Sequence, residues 1–221
     1  RAQHEGRFTS VVPIKTPSGS VSLDECIRPS LTAERLAAMP PAFLTLGAAG
    51  SDAVQLSQYP GLTKITHVHT AGNSPAMCDA AAVLLVGSKM LASDQGLTPK
   101  VRIVDSVTCC GEPLEVVSGC VAATKAILSR NKLSPSDVDV FEIHEAFAAT
   151  IVKLQRELEI DSARLNINGG CIALGHPMGA TGAIMAGTAI DELMRCDGSI
   201  GIIAASGAAG SGSALLVERC Y

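Results

Sequence analysis

Three short stretches of the chain carry residue types that packing alone does not require. His176 stands in the middle of Asn168–Gly182, which reads Asn-Gly-Gly-Cys-Ile-Ala-Leu-Gly-His-Pro-Met-Gly-Ala-Thr-Gly. Gly169, Gly170, Gly175, Gly179 and Gly182 are too many for a helix or strand interior, where each would cost roughly 0.5–1 kcal/mol relative to Ala. The run reads as a loop that turns tightly or comes close to another group. Pro177 biases His176 toward an extended conformation and so displays its imidazole. From Met178 the pattern turns helical, so the loop empties into a helix N-terminus, where free N–H groups favour negative charge. His144 opens His-Glu-Ala-Phe-Ala-Ala, at the junction of an apolar run and a helix. Ser206–Gly212 is a turn of small residues between two apolar runs. Displayed imidazoles suit proton transfer near neutral pH. Taken singly, a glycine turn, a helix-cap histidine and a tight hairpin would account for the three; jointly they are far more specific.

The elements that must hold these loops follow from apolar patterning. Val101–Cys109 reads as a strand and Gly119–Asn131 as a helix. A strand follows at Val138–Ile143, then a helix Glu145–Leu158 with apolar residues at 147, 151, 154 and 158, a helical spacing. The glycine loop leads into a helix Gly179–Arg195 and a strand Ser199–Ala205. The chain then returns as Ser213–Glu218, an antiparallel hairpin neighbour. Ala80–Gly87 is continuously apolar, as in a strand buried on both faces, and Ser88–Gln95 is a short helix ended by Gly96. These elements predict an α/β layered domain whose mixed five-stranded sheet is covered by helices, with the three stretches at strand ends, where active sites of such sheets gather. Residues 9–76 read as irregular, with a short strand Ser10–Lys15, a helix Leu31–Ala38 stopped by Pro40-Pro41, and a weakly periodic segment over 44–69. His67 and His69 would share a strand face, and with no Cys or carboxylate partner evident they read as plain surface histidines.

Composition narrows the function classes. The 221 residues are 47% hydrophobic and 17% charged with a net charge of −4, so nothing attracts nucleic acid in general. Aromatics are scarce, with four Phe, two Tyr and no Trp, so the core must be aliphatic and tightly packed. None of the eight cysteines forms a Cys-x-x-Cys pair. Buried free thiols in a reducing compartment, cytoplasmic or mitochondrial, fit better than disulfides or a metal site. No apolar run is long and uniform enough for a transmembrane segment. Arg1–Phe8 looks like the tail of a helix under way, with no signal or transit segment, so the chain reads as part of a longer polypeptide.

The three stretches resemble the C-terminal motifs of the thiolases, the acetyl-CoA acyltransferases. Gly6-Arg7-Phe8, Ile27-Arg28-Pro29, Pro41-Ala42-Phe43 and Thr70-Ala71-Gly72-Asn73 match the family too, so the resemblance covers nearly the whole chain. A histidine at position 144, where many thiolases carry Asn, looks like the β-oxidation trifunctional-complex type. The resemblance implies the C-terminal half of a thiolase. Residues 1–76 would be the substrate-covering loop region, 77–97 the end of the N-terminal thiolase domain, and 98–221 the C-terminal thiolase domain.

The resemblance also implies roles. A thiolase passes an acyl group between a cysteine thiolate and coenzyme A, which is a substrate; no separate cofactor is implied. His176 would activate the nucleophilic cysteine and help bind the thioester oxygen, where His144 would place a water or donor. The backbone N–H of Ala208 would form the other oxyanion site. Phe43, Ala71, Ser74, Ala146 and Phe147 would line the pantetheine channel. The implied partners are acyl-CoA, the N-terminal half of the same thiolase, and further copies in a homo-oligomer or larger complex.

Three departures stand out. No residue here can be the nucleophilic cysteine, whose motif lies in the half before Arg1. Ser206 falls where the family has its acid/base cysteine, and a hydroxyl is a much weaker acid than a thiol. Residues 44–69 are longer than the usual link between Phe43 and Thr70. Ser206 therefore leaves open a degenerate relative that binds acyl-CoA or a partner subunit without efficient turnover. A decarboxylating ketoacyl synthase, whose chemistry needs no second thiol, is a weaker match to the motifs.

Overall fold

The computed structural model describes residues 1–221. Residues 2–6 form a turn with the bonding of a helix end, the Glu5 N–H donating to the Arg1 carbonyl and the Arg7 N–H to that of Ala2, closed by Gly6 at φ 64°, in keeping with the expected helix tail. β1 (Ile14–Thr16) and β2 (Gly19–Val21) pair as a short exposed antiparallel hairpin. α1 (Ala33–Ala37) starts at Thr32, whose side chain accepts from the Arg35 N–H. The segment 44–69 is more ordered than its weak periodicity suggests. It holds α2 (Leu44–Leu46) and α3 (Asp52–Gln58), joined by a wide turn in which Gly50 takes φ 124°. No residue of α3 is buried, so this helix has no core face to imprint a period on its sequence.

The largest departure is Ala80–Gly87. It takes no regular structure, and Val83 and Leu85 are 94% and 80% exposed. A strand persists only where its N–H and C=O groups find partners, and no strand of this chain pairs with this run. The main sheet therefore has four strands, not five. α4 (Lys89–Asp94) follows, capped by Ser88, whose side chain accepts from the Leu91 N–H.

The rest folds as the alternating pattern predicts. In order come β3 (Val101–Cys110), α5 (Gly119–Arg130), β4 (Val140–Ile143), α6 (Ala148–Leu158), α7 (Cys171–Leu174), α8 (Thr181–Cys196), β5 (Ile200–Ser206) and β6 (Ser211–Arg219). The sheet order is β3-β6-β5-β4. β5 and β6 form the expected antiparallel hairpin, with Ser206 opposite Gly212. β4 runs parallel to β5, as it must when helices form the crossover between them. Helices cover both faces. On one, Cys120 and Ile127 of α5 and Leu154 of α6 pack against Phe141, Ile202 and Leu216. On the other, Met185, Ala189 and Leu193 of α8 pack against Val140, Ile203 and Val217. The alternation of Ile202 and Ile203 between the two clusters is the period of a strand buried on both sides.

One close approach sets the position of α5. Its first residue, Gly119, lies against the β6 backbone, where an added Cβ would sit 2.0 Å from the Ser211 carbonyl oxygen; one added at Gly212 would sit 2.1 Å from that of Gly119. Only two glycines let these backbones touch. α6 begins at Ala148, three residues later than expected. Phe147 is extended at φ −152°, because the Ala148 N–H donates to the Asn73 carbonyl and the Glu145 carboxylate is held elsewhere.

Candidate active site

His144 is the first residue after β4, and its backbone N–H donates to the Ala204 carbonyl of β5 (2.8 Å). Its Nδ1 lies 3.2 Å from the Ser206 carbonyl oxygen. A carbonyl only accepts, so Nδ1 carries the proton and Nε2 presents a lone pair. That Nε2 is buried and has no partner. Burial, then the neighbouring His176, push the His144 pKa down to about 4, against the pull of the Ser206 carbonyl. The ring is therefore neutral at physiological pH.

The glycine loop brings His176 opposite. Its N–H donates to the Ala76 carbonyl (2.8 Å), and Met77 bridges it in parallel, so the 70–78 segment and the loop support each other. Its Nδ1 lies 2.7 Å from Thr181 Oγ1 at the start of α8. The two imidazole centroids are 4.5 Å apart. Burial lowers the His176 pKa below its ordinary value. The loop is fixed from beneath by Glu145, whose carboxylate accepts from Asn166 Nδ2 and from the Ile172 N–H, both at 2.9 Å. A Cβ at Gly170 would lie 2.3 Å from that carboxylate carbon, which explains a glycine beside the site.

Ser206 ends β5 beside this pair, but its hydroxyl turns elsewhere. Its Oγ accepts from the Cys120 N–H at the start of α5 (2.8 Å). Ala208 lies in the exposed turn that follows, and its N–H makes no hydrogen bond within the chain. Of the residues expected along a substrate channel, Phe43 and Phe147 meet edge-to-face with centroids 5.7 Å apart. Ala146 is buried beside Phe147, Ala71 is exposed, and Ser74 Oγ is buried without a partner. Asn73, between Ala71 and Ser74, tethers that loop to α6 through its carbonyl.

Several residues escaped the sequence reading. His69 is no plain surface histidine. It packs against Phe147 and Phe43 with centroids 4.7 and 5.8 Å away. His67 has the carboxylate partner that its neighbourhood in sequence did not reveal, Asp52, at 3.0 Å. The eight free cysteines are not uniformly interior: Cys120 and Cys171 are buried, Cys110 and Cys196 exposed. Cys171, first residue of α7, is the one that joins the site. Its sulfur and one ring nitrogen from each of His144 and His176 lie within 4.8 Å of one another. Zinc would draw such atoms to roughly 3.5 Å apart, so this spacing is loose for a metal. Burial first pushes the Cys171 pKa up to about 11, so it is a neutral thiol. Its only signal in sequence was membership of the glycine loop. Behind it lies a cavity of about 20 Å³ lined also by Glu142 and Thr181. Burial, then Glu145 and Glu192, raise Glu142 well above the usual carboxylate range.

The α/β core thus brings together two imidazoles from separate loops and, in the turn after β5, the unbonded N–H of Ala208. Residues 97–219 match the family model "Thiolase, C-terminal domain", and the chain belongs to the thiolase family. It is 37% identical to the 3-oxoadipyl-CoA/3-oxo-5,6-dehydrosuberyl-CoA thiolase of Escherichia coli, over 99% of this chain and 52% of that protein. It is 36% identical to the 3-ketoacyl-CoA thiolase of Klebsiella pneumoniae, over 90% of this chain and 48% of that one. Among solved structures, the Bacillus anthracis acetyl-CoA acetyltransferase superposes with a TM-score of 0.81 at 33% identity, covering 99% of this chain and 52% of that one. Human mitochondrial 3-ketoacyl-CoA thiolase in complex with CoA gives 0.80 at 28% identity, covering 99% and 51%. The chain spans about half the length of the relatives it matches.

Proposed function

We propose that this chain, with residues 98–221 as its C-terminal thiolase domain, is half of an acyltransferase that works on acyl-CoA thioesters. It would cleave 3-ketoacyl-CoA with coenzyme A, or condense in reverse, with the nucleophilic cysteine supplied by an N-terminal half. The observation that carries this reading is the neutral His144–His176 pair, centroids 4.5 Å apart, drawn from loops 32 residues distant in sequence.

His176, neutral and steadied by Thr181, would take the proton of the nucleophilic thiol. Once protonated it would donate to the thioester oxygen. His144 cannot donate from Nε2 while Nδ1 holds the proton; its lone pair would accept from a water, whose other hydrogen faces the same oxygen. The free N–H of Ala208 would serve the second oxyanion. Phe43, Ala71, Ser74, Ala146 and Phe147 would line the pantetheine path, with His69 as an added wall. Coenzyme A enters as substrate, and no further cofactor is needed for this chemistry. The eight free cysteines suit a reducing compartment, cytoplasmic or mitochondrial.

The test is thiolysis of acetoacetyl-CoA and a longer 3-ketoacyl-CoA by the intact assembly of both halves. Turnover that disappears in His176→Ala is expected. An assembly that binds coenzyme A and turns over neither substrate would end the proposal.

A further inference from the structure

Thiolysis needs a group that gives a proton to the α-carbon as the carbon–carbon bond breaks. Ser206 is a poor candidate on two counts. A hydroxyl holds its proton far more tightly than a thiol, and the Cys120 N–H holds the Ser206 Oγ toward the start of α5. Of the thiols near the pair, Cys120 belongs to the apolar cluster around Phe141 and Ile202 and is fully buried. Cys171 instead opens α7 next to Gly170, with its sulfur and a ring nitrogen of each histidine inside the same 4.8 Å cluster. His144 is 5% exposed, and its Nε2 is a buried lone pair without a partner. That unsatisfied lone pair, in the same cluster as a thiol, is a polar position that only a further hydrogen-bonding group would satisfy.

Resting on the acyltransfer reading above, we propose that Cys171 is the proton carrier of this site, a role moved from one wall to the other. In the cleavage step, the electron pair of the breaking Cα–Cβ bond takes the Cys171 S–H proton, forming the C–H bond of acetyl-CoA and leaving a Cys171 thiolate. The incoming coenzyme A thiol returns a proton to that thiolate. Its sulfur then attacks the acyl group on the nucleophilic cysteine of the N-terminal half, forming a new C–S bond and expelling that cysteine as thiolate. The geometry suits the first transfer. The histidines hold the thioester oxygen, and the α-carbon is bonded to the same carbonyl carbon, so a thiol among them faces both. Glu142 shares the cavity behind Cys171 and burial raises its pKa well above the usual carboxylate range; with Glu145 it favours the protonated, proton-giving form of Cys171.

The experiment uses the intact assembly and two readouts: thiolysis of acetoacetyl-CoA, and exchange of the acetyl-CoA α-protons in D2O, which reads the proton transfer itself. In Cys171→Ala both should fall together by about 100-fold or more, with the Kd for coenzyme A unchanged. Adding Ser206→Cys to Cys171→Ala should recover at least about tenfold of the loss, because it restores a thiol to the other wall; a merely structural role for Cys171 would not respond to that change. Cys171→Ala that exchanges α-protons at the parent rate, or an equal loss in Cys120→Ala, overturns the proposal while leaving an active parent a thiolase. A parent inert in both assays removes the acyltransfer reading and this proposal with it.

Discussion

His144 and His176 are both neutral, and the cause differs in a way that separates their roles. His144 is buried and its proton is pinned on Nδ1 by a carbonyl, whereas His176 is partly open and faces a hydroxyl that can accept or donate. His176 can therefore change protonation during turnover and His144 cannot do so easily. A base must be unprotonated to act, and the lowered His176 pKa keeps it so to a lower pH than free imidazole. The acid limb of kcat/KM is expected below the ordinary 6.5; a pH–rate profile falling at or above 6.5 would contradict the assignment. His144→Ala should lower kcat by about 10²–10³, the usual cost of losing one oxyanion contact, with KM little changed. His144 also ties stability to pH. Its folded pKa of about 4 lies below the ordinary 6.5, so between these values the unfolded chain binds a proton that the folded chain refuses. The stability it contributes is full above 6.5 and is lost as pH falls toward 4. Thermal midpoints of His144→Asn should fall less steeply across that window than those of the parent.

At the scale of elements, the site depends on backbone contacts more than on side-chain packing. α5 is placed by Gly119 against Gly212, and its first turn supplies the Cys120 N–H that holds Ser206. Gly119→Ala should destabilise by about 1–3 kcal/mol, since the obstacle is a carbonyl that cannot step aside. Gly187→Ala, inside α8 where an added Cβ meets nothing within 4 Å, should be neutral or stabilising by up to about 1 kcal/mol. Opposite shifts in thermal midpoint would show this, and equal shifts would refute it. The same elements show what was legible in sequence. β5, β6, α5 and α8 each bury a full face in this chain, so their apolar periods are complete and their limits fall within a few residues of expectation. The His144, His176 and Ser206 loops were legible because glycine, proline and histidine mark them. Cys171 was not, because a thiol in an apolar loop reads as packing until the fold sets it beside two imidazoles. α3 was missed because it buries nothing here.

At the scale of the molecule, burial is lopsided. The two packed clusters draw all their residues from Cys120–Val217, while Met77, Val83, Leu85, Val86 and Met90 are exposed along one continuous segment. Surfaces of that kind mark an interface. Ala80–Gly87 has the composition of a strand buried on both faces, and no strand of this chain pairs with it. On the proposed function, an N-terminal half would supply a sheet there, pairing the free backbone groups and covering side chains worth about 1.5–3 kcal/mol each. The same docking would fix Met77, which bridges His176, and would so link assembly to the candidate site. Leu85→Asp places a charge in the middle of that strand. It should prevent stable association with the N-terminal half in size-exclusion chromatography, while residues 98–221 keep their fold by circular dichroism. Thiolysis should be lost in parallel with association. A Leu85→Asp assembly that elutes and turns over like the parent would mean that this run stays at the surface in the whole enzyme and that another face joins the halves.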